Sequence, residues 1–232
     1  MRLRGWSKNS ALLVAVTSVA VLGSGTGAQA GSGVTDNFES LPVSTGWADG
    51  STHGQWKARF DGYGSVGVER AGSKVLSLKP KASDTAGETH AALVTSRSSF
   101  GDVEFAVKAK TVRQLRDPRP NPWESAWVIW HYKDNTHFYY LALKPNGWEL
   151  GKADPNYQGA QRFLATGSSM QFPVGKWANV RVRQVGRKIS VWANGELLTT
   201  FTDRERPYTS GNLGLYNEDS KTYFDDVRAT SL

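Results

Sequence analysis

Short segments in which apolar and polar residues alternate dominate the chain. The clearest of these, each bounded by Gly, Pro, Asn or Ser, are residues 74–80, 90–96, 102–110, 177–186 and 188–195. A period of two places successive side chains on opposite faces of a strand, and no segment keeps a helical period over about ten residues. The pattern therefore predicts an all-β fold with about eleven or more strands, arranged as a two-sheet antiparallel β-sandwich or jelly roll.

Two segments predict local structure in more detail. In VEFAVKAK, alternate residues beginning at Val103 are apolar, whereas the others are mostly charged, as in a half-buried antiparallel strand. Between ISVWA and ELLTTF stands Asn194-Gly195. This dipeptide readily adopts two positive φ angles, so we expect a type I′ hairpin there.

The densest group of aromatic rings lies in residues 127–150, WVIWHYKDNTHFYYLALKPNGWEL. A four-residue turn over residues 134–137 would form a hairpin in which Trp130 lies opposite Leu141. A second turn over residues 145–148 would continue the sheet into a third strand. The segment is therefore predicted to form three consecutive antiparallel strands.

This register sorts the side chains onto two faces. Trp130, Tyr132 and Tyr139 are predicted to face the core. The opposite face collects a chemically mixed set, in which Glu149 lies across the second turn from Lys144: Trp127, His131, Tyr140, Lys144 and Glu149. A register slipped by one residue would bury His131 among apolar neighbours without a partner, which costs free energy.

A leader precedes the predicted domain. Its basic start carries Arg2, Arg4 and Lys8, an apolar run of about 13 residues follows, and Ala28-Gln29-Ala30 ends it. This is the pattern of a secretory signal peptide over residues 1–30, and the run is shorter than the roughly 18 residues that a membrane span requires. We therefore expect a secreted, extracellular, monomeric protein with one domain over residues 31–232 and no membrane association.

Charge and cysteine content exclude several classes of function. The full chain carries a net charge of +7 and no cysteine. Loss of the leader would leave a mildly basic domain whose Lys and Arg residues are interspersed with apolar residues rather than clustered, so nucleic acid is not an expected partner. Attraction to an acidic polysaccharide stays open. Without cysteine there can be no disulfide, thiolate metal site or cysteine nucleophile.

Three stretches resemble a known family. These are AWVIWHYKDNTHFYYLALKPNGWELGK, FPVGKWANVRVRQVGRKISVWANGELLTTF and GNLGLYNEDSKTYFDDVRA. They are similar to strands of the concanavalin-A-like lectin/glucanase superfamily, and most similar to family 16 glycoside hydrolases and the 3-keto-disaccharide hydrolase domain. The resemblance runs from Asp36 to Arg228. It implies a jelly-roll sandwich in which one curved sheet forms a groove for a polysaccharide or oligosaccharide, although this fold hosts hydrolases, lyases and lectins alike.

The resemblance makes the mixed face a candidate glycan groove. Indoles and phenols pack against the C–H faces of sugars, and charged groups bind their hydroxyls. The candidate substrate-binding residues are Trp127, Tyr140, Lys144, His90, Lys152 and Arg162. Lys144 and Glu149 could instead form a cross-strand ion pair of under about 1 kcal/mol.

Hydrolysis is the leading hypothesis for the chemistry. Retaining glycosidases need two carboxyl groups about 5–5.5 Å apart, but the Glu-x-Asp-x-x-Glu motif of family 16 is absent. The carboxylates would then come from different strands. The candidate catalytic residues are Glu149, His131 and Glu124, with Glu88 as a further carboxylate.

Two alternatives stay open. A polysaccharide lyase acting on a uronic-acid polymer needs a base and cations to stabilise an enolate-like charge, and His131, Tyr140, Lys144 and Arg162 are of those types. The characteristic strand motifs of jelly-roll alginate lyases are absent. A non-catalytic, lectin-like domain would need only the aromatic and hydrogen-bonding groups.

Calcium is the one cofactor that the resemblance implies. Related sandwiches hold a structural Ca²⁺ where the first and last strands meet, and Asp36, Asp225 and Asp226 are oxygen ligands of the kind this ion prefers. The same aspartates could instead cap turns or pair with Arg228. Zinc is not expected, because His90 and His131 lack a third ligand at a recognisable spacing. No organic cofactor is expected.

Overall fold

A computed structural model describes residues 33–85 and 87–232, so the predicted signal peptide lies outside the described residues. The described part forms sixteen β-strands and one short 3-10 helix, Gln158–Ala160. The strands are β1 (Val34–Asp36), β2 (Thr52–His53), β3 (Trp56–Phe60), β4 (Ser65–Ala71), β5 (Ser73–Lys79), β6 (Ala91–Phe100), β7 (Val103–Gln114), β8 (Ala126–Asp134), β9 (His137–Lys144), β10 (Gly147–Ala153), β11 (Gln161–Gly167), β12 (Ala178–Val185), β13 (Lys188–Ala193), β14 (Glu196–Thr202), β15 (Gly211–Glu218) and β16 (Ser220–Ser231). Within these ranges, no helix has the length and apolar character needed to cross a membrane.

The strands form two eight-stranded antiparallel sheets. Sheet I has the order β14-β13-β12-β7-β16-β5-β4, with β1 paired to β16, and sheet II has the order β11-β10-β9-β8-β15-β6-β3-β2. Consecutive strands often belong to different sheets, as in a jelly roll. The predicted two-sheet jelly-roll sandwich is confirmed.

A single large apolar core lies between the sheets. Phe105 and Val180 enter it from sheet I, and Trp130 and Leu141 enter it from sheet II. All five segments predicted as strands from their alternation form strands, and the apolar positions of β7 are the buried ones. Asn194 and Gly195 both have positive φ between paired strands, as the predicted hairpin requires.

The register predicted for β8 and β9 is wrong over most of its length. Asp134 does pair with His137 at the turn, but Trp130 pairs with Tyr139 rather than with Leu141. The difference is a β-bulge between Trp130 and Asp134 that inserts two additional residues on the β8 side. A shift of two residues leaves most side chains on their predicted faces.

His131 is the centre of this bulge, with φ of 49°. Its ring nitrogens lie 2.8 Å from the carbonyl oxygens of Tyr208 and Gly101. Gly211 on the neighbouring strand makes room, because a Cβ there would collide with the His131 backbone. The bulge also turns Tyr132 to the outer side of sheet II, so its predicted place in the core is wrong.

The second turn is also tighter than predicted. Lys144 pairs with Gly147, and Glu149 pairs with Ala142, so the turn is not a four-residue turn over 145–148. Gly147 permits this, because its φ is 145° and its backbone approaches that of Gly167 too closely for a side chain. The shift is again two residues, and Glu149 stays on the same face as Lys144.

Candidate functional site

A second apolar cluster covers the side of sheet II that is turned away from the core. We call it the aromatic face, and its buried members are Leu93, Trp127, Ile129, Tyr132, Phe138, Tyr140, Ala142, Ala153 and Tyr216. Sheets that face water on one side normally carry polar residues there. Here aromatic rings take those positions and are themselves nearly buried, with Trp127 5% and Tyr140 1% exposed. This unusual cluster marks the outer side of sheet II as a candidate ligand-binding surface.

Trp127 lies at the centre of this face. Its ring centroid is 4.6 Å from that of Tyr140 and 5.3 Å from that of Tyr216. Its indole nitrogen donates a 2.8 Å hydrogen bond to the carbonyl of Trp123, which fixes the ring. The result is a rigid platform with a phenol on each side.

The strand register places one carboxylate directly across from this platform. Glu149 pairs with Ala142, Ala142 with Trp127, and Trp127 with Tyr216, so the four residues form one row across β10, β9, β8 and β15. Glu218 follows two residues after Tyr216 and therefore projects from the same side of β15. Two carboxyl groups thus flank Trp127.

Glu149 is held by two neighbours, Lys144 and Tyr140. Its Oε2 lies 3.0 Å from the Lys144 ammonium, and its Oε1 accepts a 3.1 Å hydrogen bond from the Tyr140 hydroxyl. That hydroxyl accepts a 2.5 Å hydrogen bond from the Gln161 amide. Burial and the Glu149 charge raise the pKa of Tyr140 well above its usual value. Gly151 leaves the space into which the phenol extends.

Glu218 is in a different electrostatic environment. Its Oε1 accepts a 2.8 Å hydrogen bond from the Tyr216 hydroxyl, and no cation pairs with it among the residues described. Burial, followed by the negative charges of Asp219, Glu124 and Glu149, raises its pKa to about 8. This raised pKa favours the protonated form of Glu218 at neutral pH, whereas Glu149 is ion-paired with a lysine.

Sequence reasoning missed Glu218, although a signal was present. Glu218 lies two residues after Tyr216 in a segment that was compared with a family strand, and this spacing places the two side chains on one face. The apolar and polar residues of this segment do not alternate, so periodicity did not single out Glu218.

Glu124 lies next to the aromatic face in a buried network. Its Oε1 is 2.6 Å from Arg116 and 2.8 Å from the Asn121 amide, and Arg116 also binds Asp219 at 2.6 Å. Burial raises the pKa of Glu124. Its Oε2 is buried and has no hydrogen-bond partner in the described chain. The negative charge of Glu124 is one of the charges that raise the pKa of Glu218.

His131 is not brought to the aromatic face. It is fully buried, and the bulge aims its ring at two backbone carbonyls. Burial lowers its pKa, although both carbonyls favour the protonated ring. We therefore assign His131 a structural role, in which it holds the bulge of β8 in place.

Lys152 and Arg162 are also placed elsewhere. Lys152 is fully buried on the core side of β10, where its ammonium lies 2.8 Å from Asp203 and 2.5 Å from the Glu205 carbonyl. Arg162 joins the same group through Asp203 and Glu205. Their position follows from alternation, because Lys152 is three residues after Glu149 and so points to the opposite side.

His90 lies at the edge of the face rather than within it. It directly precedes β6, its ring nitrogen is 2.9 Å from the Lys81 carbonyl, and its ring packs edge-on against Tyr63. Its amide donates to Asp219. The nearby Glu88 carboxylate is exposed, and its backbone carbonyl accepts from Arg116.

The family of the chain follows from comparison with known proteins. The sequence profile of the 3-keto-alpha-glucoside-1,2-lyase-like domain matches residues 44–230. The chain belongs to this family. The predicted relation to 3-keto-disaccharide hydrolase domains is thereby confirmed, and no curated protein sequence matches the chain significantly.

Solved structures share the fold of this lyase-like domain at low identity. The carbohydrate-binding module CBM66 from Bacillus subtilis is 14% identical, with a TM-score of 0.55 over 76% of this chain and 96% of that one. The β-glucanase from Bacillus licheniformis is 12% identical, with a TM-score of 0.54 over 88% and 100%. The Crh5 transglycosylase is 11% identical, with a TM-score of 0.57 over 87% and 85%. These likenesses establish the jelly-roll fold.

The three predicted calcium ligands of this lyase-like domain are engaged with protein donors. Asp36 accepts from the Phe38 amide and the Trp56 indole, and Asp226 pairs with Lys108 at 2.7 Å. Asp225 accepts from the Asp226 amide. Over residues 33–85 and 87–232, no group of three or more His, Cys, Asp or Glu side chains is spaced to hold a metal. The calcium site therefore stays a prediction.

Proposed function

We propose that this protein cleaves a glycosidic bond of a saccharide bound on the aromatic face, with Glu218 as general acid and Glu149 as general base. The observation that carries the proposal is the contrast between these two carboxyl groups, which flank Trp127 with different partners. When neighbouring carboxyl groups are driven to different protonation states, one can donate a proton while the other accepts one.

Trp127 would position the sugar, with the nearly buried Tyr140 packed against it. The part of the indole that stays exposed offers an apolar contact to the C–H face of the sugar, and the polar groups around it bind its hydroxyls. Lys144 and Gln161 lie beside Glu149 and are available for such contacts. Positioning of this kind lowers the barrier by fixing the reacting atoms in place before the reaction.

The family match supports elimination from a 3-keto glycoside as the reaction. A carbonyl at C3 makes the proton on C2 acidic, and Glu149 would remove it. The electrons of the C2–H bond form a C1=C2 double bond, the bond from C1 to the glycosidic oxygen breaks, and Glu218 donates its proton to that oxygen. The products are an unsaturated keto sugar and an alcohol, and no water is consumed.

Hydrolysis is the second candidate, and the same carboxyl pair favours it. Glu149 would then activate a water molecule instead of removing a sugar proton. Glu149 and Glu218 stand on strands separated by two others, and Glu218 lies two residues beyond the row of Glu149, so their backbones are about 16 Å apart. That span suits the wider pair of an inverting enzyme better than the closely spaced pair of a retaining one.

Product analysis distinguishes these reactions. Purified protein is incubated in ¹⁸O-labelled water with an α-glucoside and with its 3-keto derivative, and the products are followed by ultraviolet absorbance and mass spectrometry. Elimination gives a conjugated, absorbing product that is lighter than the hydrolysis product by one water, whereas hydrolysis places labelled oxygen in a product.

Variants link the reaction to the site. Glu149→Gln and Glu218→Gln should lose activity, while Glu196→Gln, which removes an exposed carboxylate at the start of β14, should keep it. Saccharide binding with no turnover of either substrate would indicate a lectin-like domain and overturn the proposed chemistry.

We also propose that the protein acts outside the cell as a monomer after loss of residues 1–30. The sequence pattern of the leader supports export. N-terminal sequencing of the protein recovered from culture medium and its mass in solution test the two statements separately.

A further inference from the structure

A cleft of about 540 Å³ opens where β5 and β7 end, next to the edge of the aromatic face at which His90 lies. Three segments line it, namely residues 63–65, 79–82 and 113–115. This volume lies within the range of about 300–1,000 Å³ that is typical of small-molecule sites. The proposed chemistry of Glu149 and Glu218 makes no use of it.

The cleft is basic. Lys79, Lys81 and Arg113 line it, and none of its lining residues is Asp or Glu. Lys79 and Arg113 are exposed, and across the described ranges their side chains have no hydrogen-bond or ion-pair partner. Lys81 is 3.4 Å from Asp84, and both side chains are mostly exposed, so this pair is weak.

A fourth cation lies beside the cleft. Lys221 pairs in register with Arg113, so it adjoins the cleft on β16. Its ammonium is 2.7 Å from Glu69, which neutralises it. The carboxylates near the cleft are therefore engaged or solvated, and the charges of Lys79 and Arg113 are left for a ligand.

An exposed aromatic ring stands at the mouth of the cleft. Tyr63 is 76% exposed, and its ring rests edge-on against His90 at 5.2 Å between centroids. Its backbone has φ of 63° and is fixed by a hydrogen bond from its amide to Asp61. A large, fixed and exposed ring next to unpaired cations suits a ligand that has both an apolar face and a negative charge.

We propose that this cleft binds an acidic saccharide, with a carboxylate or sulfate between Lys79 and Arg113 and a sugar ring on Tyr63. Arginine forms paired hydrogen bonds with planar carboxylates, and lysine adds a point charge. The cations form a compact group rather than the extended stripe that a nucleic acid backbone requires. The proposal is independent of the chemistry assigned to Glu149 and Glu218.

The test compares binding of acidic and neutral oligosaccharides of equal length by calorimetry at low salt. The acidic oligosaccharide should bind the wild type more tightly, and K79Q/R113Q should weaken it about tenfold or more. R187Q/K188Q is the matched control, because it removes two exposed cations at the β12–β13 turn, at the opposite end of sheet I. That variant should bind within about twofold of the wild type.

Tyr63→Ala separates a sugar site from simple charge attraction. It should weaken the oligosaccharide several-fold but leave binding of inorganic triphosphate, used as a charge-only probe, unchanged. Equal weakening by the two double variants, no binding of the acidic oligosaccharide, or tighter binding of a short single-stranded DNA than of the sugar would each overturn the proposal. Thermal unfolding of every variant confirms that it is folded, as expected for exposed positions.

Discussion

Two groups of polar residues on sheet II contain the same residue types but have different roles. At the edge of the core, Lys152 binds Asp203, which also accepts a 2.7 Å hydrogen bond from the Tyr139 hydroxyl. On the aromatic face, Lys144 binds Glu149, which accepts from the Tyr140 hydroxyl. Each group therefore combines a lysine, a carboxylate and a tyrosine.

The groups differ in how completely their charges are satisfied. Lys152 and Asp203 are fully buried, and the lysine has carbonyl acceptors in addition to the carboxylate. Lys144 and Glu149 keep 17% and 12% of their side-chain surface exposed, and the nearby Glu218 has no cation. A saturated and sealed group supports the fold, whereas a partly open group with an uncompensated carboxyl can act on a ligand.

Removing one lysine from each group is the strongest test of this contrast. Lys152→Met leaves the buried Asp203 with Arg162, at 3.4 Å, as its remaining cation, and should lower the free energy of unfolding by about 3–5 kcal/mol. Lys144→Met, as the matched change, should lower it by under about 1 kcal/mol. Urea denaturation of both variants measures the difference, and equal losses would show that the two groups are not distinct.

Loss of the protonated carboxyl should have the next largest effect. Glu218→Gln should reduce kcat by about 10²–10⁴-fold, because an amide cannot donate the proton. In the wild type, kcat should fall as the pH rises through about 8, where Glu218 loses its proton. A pH–rate profile of the wild type, and the residual rate of the variant, check both statements.

Glu218→Gln should be more stable than the wild type at pH 8, although its kcat is lower. The folded-state pKa of Glu218 is raised, so the folded protein holds a proton that the unfolded chain releases above about pH 4.5. The wild type should lose stability from this group as the pH rises from about 4.5 to 8. Glu218→Gln should lack that loss and unfold at higher urea concentration than the wild type at pH 8. A lower midpoint at that pH would contradict the raised pKa.

Substitution of His131, the bulge residue, should lower the free energy of unfolding but leave kcat nearly unchanged. His131→Gln disrupts at least one of the two buried contacts with carbonyls, so the free energy of unfolding should fall by about 1–3 kcal/mol. kcat of the folded variant should stay within about twofold of the wild type. A loss of turnover without a loss of stability would mean that His131 takes part in the reaction.

The smallest effect is expected at Tyr140. Tyr140→Phe removes one hydrogen bond to Glu149 and keeps the ring against Trp127. A single hydrogen bond of about 1 kcal/mol corresponds to a fall of roughly fivefold in kcat. Steady-state kinetics should show this fall with KM nearly unchanged. A variant as impaired as Glu149→Gln would mean that the phenol itself takes part in proton transfer.

Alternation alone predicted much of the fold and part of the site. It identified strands, the hairpin at Asn194 and the shared face of Trp127, Tyr140, Lys144 and Glu149. The predicted registers were wrong by two residues, but a two-residue error leaves side chains on the same face. The predicted face of these four residues is therefore correct despite the errors in the turns.

Distant contacts determined what alternation did not show. His131 leaves the face because Gly211, Gly101 and Tyr208, far along the chain, accommodate and bind the bulge. The Asp203 partner of Lys152 is 51 residues away. The raised pKa of Glu218 depends on charges from three separate segments, which no local pattern reveals.

Carboxyl ¹³C NMR of the glutamate side chains measures the protonation of Glu218 at neutral pH directly and without a substrate. We expect one glutamate signal that titrates near pH 8 and disappears in Glu218→Gln. Titration of every glutamate signal below about pH 6 would contradict it, because Glu218 would then be ionised at neutral pH and could not serve as the acid.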